Sequence, residues 1–151
     1  MRMFVAGATG ALGRRLVPLL VANGHQVTAM TRRVGRTMDL YAAGAEPVVA
    51  DALDRDAVLA AVTAARPDAV VHQLTDLAGV TNLRRFDQGF AATNRLRTEG
   101  TDHLLEAARA AGARRFVAQS FAGWPLARVG GPVKTEDDPL DPDPPAELRR
   151  T

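Results

Sequence analysis

Met3-Phe4-Val5-Ala6-Gly7-Ala8-Thr9-Gly10-Ala11-Leu12-Gly13 is a short apolar run that ends in three glycines at spacing three, and the helical pattern Leu12, Leu16, Leu19, Leu20 starts inside it. A strand that feeds a glycine-rich turn into a helix N-terminus brings backbone amides and the positive end of the helix dipole to one point, which suits a pyrophosphate. Glycines let the phosphate approach the backbone. Strand, glycines and helix in immediate succession separate this pattern from an ordinary turn and make the junction a candidate nucleotide cradle.

Working outward, residues 2–6 read as a first strand and 11–23 as a helix that exits at Asn23-Gly24. Gln26 to Thr31 is a second strand, 36–43 a short helix stopped by Gly44, and 46–50 a third strand. Asp54 is a natural N-cap for a helix over 54–65, which Arg66-Pro67 stops. Asp68 to His72, with Ala69-Val70-Val71, has the unbroken apolar character of a strand buried on both faces. A long helix over 90–111 places Leu96, Leu104, Leu105 and Ala108 on or near one face; Gly112 stops it, and 115–119 is a fifth strand. Five strands alternating with helices predict an α/β fold, with a parallel sheet, right-handed crossovers and helices on both faces. The run from 136 to 145 holds four prolines and no apolar face. It reads as an extended or disordered loop before the first turn of another helix at 146–151.

A chain of 151 residues, 46% of them apolar, fits one domain. Residues 1–135 carry 17 basic side chains against 11 acidic ones, while 136–151 carry 2 against 6. The body is basic, yet its arginines are dispersed and aromatics make up only 5% of the chain, so no stacking platform for nucleic acid is present. Anionic small molecules fit that charge better. The apolar run after Arg2 is too short for a signal core or a membrane span, so a cytoplasmic protein without a membrane partner is expected. There is no cysteine, and His25, His72 and His103 lack ligand spacing, so no metal is expected.

Gly7-Ala8-Thr9-Gly10-Ala11-Leu12-Gly13, Asp51 after the third strand, Val70-Val71-His72, and Gly100-Thr101-Asp102-His103-Leu104-Leu105-Glu106-Ala107-Ala108 leading to Arg115-Phe116-Val117 occur in a telling order. Together they resemble the extended and atypical short-chain dehydrogenase/reductase superfamily, specifically the N-terminal half of an NAD-dependent epimerase/dehydratase-type protein. The resemblance covers residues 1–135. It implies a Rossmann-type doubly wound sheet of about five strands there and a C-terminal substrate region that is absent or truncated, while 136–151 stays read from its own composition as an acidic proline-rich loop and the start of a truncated helix. A dinucleotide is then expected across the carboxyl ends of the strands. Its pyrophosphate would lie against Gly7, Thr9, Gly10, Ala11, Leu12 and Gly13. Where NAD-selective binders place an acid at the end of strand two, this chain has Thr31-Arg32-Arg33. Two guanidiniums there, with Arg14 as a third, match a 2′-phosphate and point to NADP, with NAD as the alternative. Asp51 and Ala52 correspond to the family's adenine contact, and Leu74 and Thr75 to the loop that lines the cofactor.

The catalytic pattern of that superfamily is broken here. Its proton-transfer dyad is a tyrosine four residues before a lysine, and such chemistry needs both groups close together. Tyr41 and Lys134, the sole tyrosine and lysine, stand 93 positions apart. The family's catalytic hydroxyl falls at Phe121, with Ser120 one position early as a weak catalytic candidate; its helix asparagine falls at Arg97, with Asn94 one turn before. His72 reads as a packed strand residue. Trp124 is balanced between lining a substrate pocket and anchoring a loop. Two readings follow: an NAD(P)-dependent oxidoreductase acting on a small-molecule substrate, its substrate half missing, or an NADP-binding sensor without catalysis. A shortened sheet also raises the prospect of self-association. A P-loop fits worse because Arg14, not lysine, follows the last glycine, and a methyltransferase fits in topology but lacks here its usual acid at the end of strand two.

Overall fold

The computed structural model describes residues 1–77, 86–120, 126–127 and 129–144. Its elements are β1 (Arg2–Ala6), α1 (Gly13–Ala22), β2 (Gln26–Thr31), a 3-10 turn over Val34–Arg36, α2 (Thr37–Ala42), β3 (Glu46–Val49), α3 (Arg55–Ala65), β4 (Ala69–His72), α4 (Phe86–Ala110) and β5 (Arg115–Ala118). All strand pairs are parallel and the sheet order is β3-β2-β1-β4-β5. The chain therefore winds to one side from β1 through β2 to β3, then crosses back to β4 and β5, the doubly wound arrangement with its switch point between β1 and β4.

Side chains alternate across β1. Phe4 and Ala6 face a core shared with Val58 and Val62 of α3 and with Leu96, Leu104, Ala107 and Ala108 of α4. Val5 faces Val17 of α1 and Leu40 of α2. Every residue of β4 is buried, as its continuous apolar run requires. The capping signals act as read: the Asp54 carboxylate accepts the Ala57 amide at 3.1 Å, and Arg66 takes the left-handed conformation that ends α3. Gly24, Gly44 and Gly112 have positive φ just past their helices. Arg55 holds Glu106 through two parallel hydrogen bonds, joining α3 to α4.

Three expectations are corrected. Helix α1 begins at Gly13 rather than 11, because the glycine turn occupies the positions before it. Helix α4 starts earlier, at Phe86, and its buried stripe uses Ala107 while Leu105 is only partly covered. A 3-10 turn precedes α2. In the loop after β5, Leu126 and Leu140 form an antiparallel bridge, and the Thr135 amide donates to the Asp138 carboxylate at 2.7 Å. The expected helical turn over 146–151 lies outside the described residues, as do Phe121 and Trp124. Among the described residues no helix is long and apolar enough to cross a membrane.

Candidate nucleotide groove

The floor of the site is the turn between β1 and α1. Gly7 has φ of +87°, and a Cβ on it would stand 2.7 Å from the Gln73 carbonyl. A Cβ on Gly13 would stand 2.2 Å from the Gly7 carbonyl oxygen, so this glycine lets helix and strand close up. The Gly10 amide donates to the Gly7 carbonyl at 3.0 Å and folds the turn on itself. Helix α1 has no side-chain cap and no acidic residue in its first turn, which carries Arg14 and Arg15 instead. Among the described residues the amides of Ala11, Leu12 and Gly13 donate to no backbone carbonyl. A helix end with free amides and extra positive charge fits a phosphate.

The walls form a groove of about 350 Å³ lined by Gly7, Thr9, Gly10, Ala11 and Arg14 from the turn, and Met30, Thr31, Arg32 and Arg33 from the end of β2. Ala50, Asp51 and Ala52 follow β3, and Gln73, Leu74, Thr75 and Asp76 follow β4, with Leu96 behind them. Of the residues expected here, only Leu12 and Gly13 stand outside this lining. Met30, Ala50, Gln73, Asp76 and Leu96 were not anticipated; the first three sit at strand carboxyl ends, which is the signal that marks them.

Thr31 knits the walls together. Its buried hydroxyl accepts the Arg33 amide at 3.2 Å and lies 3.4 Å from the Thr9 hydroxyl. Arg32 reaches Asp76 at 3.6 Å, and the Asp76 amide donates to the hydroxyl of the fully buried Thr93 at 3.0 Å. The Asp51 carboxylate accepts the Leu53 amide at 3.0 Å, which fixes it in a tight turn at the groove edge. Gln73 Oε1 is buried with no donor among the described residues, an acceptor that a ligand hydroxyl would satisfy.

His72 is not placed for acid or base chemistry. It is 4% exposed, its Nδ1 accepts the Leu74 amide at 3.1 Å, and its Nε2 lies 3.3 Å from the Leu96 carbonyl. Burial pushes its pKa below the usual imidazole value. Ser120 is exposed just beyond β5. Arg97 is half-buried on α4, and that burial lowers its guanidinium pKa. Tyr41 is 69% exposed on α2, while Lys134 pairs with Asp138 at 3.7 Å in the loop after β5.

Comparison with known proteins bears on the family and the fold. A family described as NAD(P)H-binding matches residues 7–139. A 3-diazoavenalumate denitrifying reductase from Streptomyces sp is 56% identical over 147 residues, covering 96% of this chain and 45% of the relative. A UDP-glucose 4-epimerase from Mycolicibacterium smegmatis is 34% identical over 149 residues, covering 94% and 45%. Among solved structures, the UDP-glucose 4-epimerase of Thermus thermophilus in complex with NAD superposes with a TM-score of 0.77 at 24% identity, over 99% of this chain and 47% of that one, a likeness of fold. The chain thus spans less than half the length of these proteins.

Proposed function

This chain belongs to the NAD(P)H-binding family, and from that premise we propose that it is the cofactor-holding part of an NADP(H)-dependent oxidoreductase of the epimerase/dehydratase-like class. The observation that carries the choice of cofactor is the end of β2, where Arg32 and Arg33 line the groove in place of an acidic side chain. Guanidiniums form charge-assisted, often bidentate bonds to a phosphate and have no comparable use for a ribose hydroxyl. When bound, the dinucleotide supplies a hydride donor or acceptor. The chain's own residues bind and orient it: the amides after Gly10 receive the pyrophosphate, Arg32 and Arg33 the 2′-phosphate, and Asp51 the adenine edge. Leu74 and Thr75 line the path toward the reacting end. The substrate is a small molecule and the setting cytoplasmic.

Titration of the purified chain with NADPH and NADH, repeated on Arg32→Ala and Arg33→Ala, tests the proposal. Tighter binding of NADPH that both substitutions weaken supports it; binding of neither nucleotide at millimolar concentration refutes it. A second reading, an NADP-binding regulatory module without catalysis, is favoured by Arg97, which stands half-buried where the resemblance calls for asparagine. It expects cofactor-dependent association with a partner and no turnover.

A further inference from the structure

We propose that Asp76 is a specificity-determining residue of the nucleotide groove, holding Arg32 in an ion pair that a cofactor's 2′-phosphate must displace. The inference rests on the cofactor reading above and adds a residue from the opposite wall. Arg32 follows β2 and Asp76 follows β4, and these strands flank β1 in the sheet. Neighbouring strands lie about 4.8 Å apart, so the two backbones are separated by roughly 10 Å. The ion pair at 3.6 Å therefore crosses above the end of β1, where the glycine turn begins and where a dinucleotide has to lie.

The two partners are not equally free. The Asp76 backbone is fastened to α4 through Thr93, at 3.0 Å. The Arg32 side chain is 53% exposed, and its contact with the carboxylate is longer than a hydrogen bond. Arg32 is thus the partner that swings. A 2′-phosphate offers it more charge and three acceptor oxygens, and wins the exchange. The exchange still forfeits the ion pair. NAD(H), with a hydroxyl in that place, makes no demand on Arg32. Asp76 accordingly narrows the preference for NADP(H) that the two arginines create.

The test is a titration of the full chain with NADPH, NADH and 2′,5′-ADP, on the wild type, Asp76→Asn, Arg32→Ala and the double variant. Asp76→Ala repeats the series without an amide that can still bond Arg32, and thermal melts check the fold. Asp76→Asn is expected to tighten NADPH and 2′,5′-ADP about two- to five-fold, the scale of an exposed ion pair, and to leave NADH unchanged. The gain should vanish in the Arg32→Ala background and shrink at high salt. Equal shifts for both cofactors, no shift, weakened NADH, or a gain that survives Arg32→Ala would each overturn the role of Asp76 while leaving the cofactor reading intact. A wild type that binds no nucleotide overturns the cofactor reading itself, and this inference with it.

Discussion

The imidazole of His72 is suspended between two stretches of backbone, accepting the Leu74 amide at 3.1 Å through Nδ1 and facing the Leu96 carbonyl at 3.3 Å through Nε2. The first contact requires an unprotonated Nδ1, so the ring is neutral with its proton on Nε2. It joins the β4 loop to α4.

His72→Ala should therefore cost about 2 kcal/mol of stability, since it strands the Leu74 amide and leaves a gap. Its effect depends on pH. Burial lowers the folded-state pKa below the unfolded value of about 6.5, so the unfolded chain binds the proton more readily. The stabilisation is full above about pH 6.5 and declines as pH falls toward the folded-state pKa. Urea unfolding at about pH 7.5 and about pH 5, on either side of that unfolded value, should show the gap between wild type and His72→Asn closing at the lower pH. A constant gap would reject the neutral-ring assignment.

Gly13→Ala places a methyl group 2.2 Å from one backbone oxygen and 2.6 Å from another, neither on a flexible side chain. A loss of about 3 kcal/mol or more is expected, together with the nucleotide site. Gly100→Ala is the control: its new methyl would meet Ala52 at an ordinary 3.6 Å inside α4. That change should be neutral or stabilise by up to about 1 kcal/mol. Equal melting temperatures for the two variants would contradict the packing described.

Arg14 sets binding against stability. It lies exposed in the first turn of α1, where positive charge opposes the helix dipole. Arg14→Ala should raise the chain's stability by about 0.3–1 kcal/mol and weaken NADPH several-fold. Calorimetry for binding and a denaturant melt for stability read the two signs separately; a variant that loses both would show Arg14 holding the fold.

Val117 pairs with Val71 in register and shares its face of the sheet, yet Val71 is covered while Val117 is 53% exposed. Apolar surface on a sheet flank favours self-association. Light scattering over a concentration series should show mass rising above 16.1 kDa, less so for Val117→Ser. A mass that stays monomeric at high concentration rejects this.

β4 was legible from the sequence because a strand buried on both faces demands an unbroken apolar run, and the reading misses only Asp68; β2, with its interspersed threonines, still matches residue for residue over Gln26–Thr31. The cap at Asp54 was legible because its signal is local. The groove's glycines, Arg14, Thr31 to Arg33, Asp51 and Thr75 were legible because a strand's carboxyl end is where a ligand sits. Asp76 was not. Its place depends on Thr93, seventeen residues away on another element, and no spacing rule carries that contact. The choice of Ala107 over Leu105 likewise depends on how α4 is rotated against α3, which a sequence pattern gives only to within a residue.

Gly7 and Gly13 interlock so closely that the floor of the groove is one piece with the sheet, whereas Arg32 and Arg33 stand above it on exposed side chains. A nucleotide meets a fixed mould below and adjustable arms above. Drift in cofactor use along this lineage is then expected to accumulate in the arms, where a substitution hardly disturbs folding, and to leave the mould untouched.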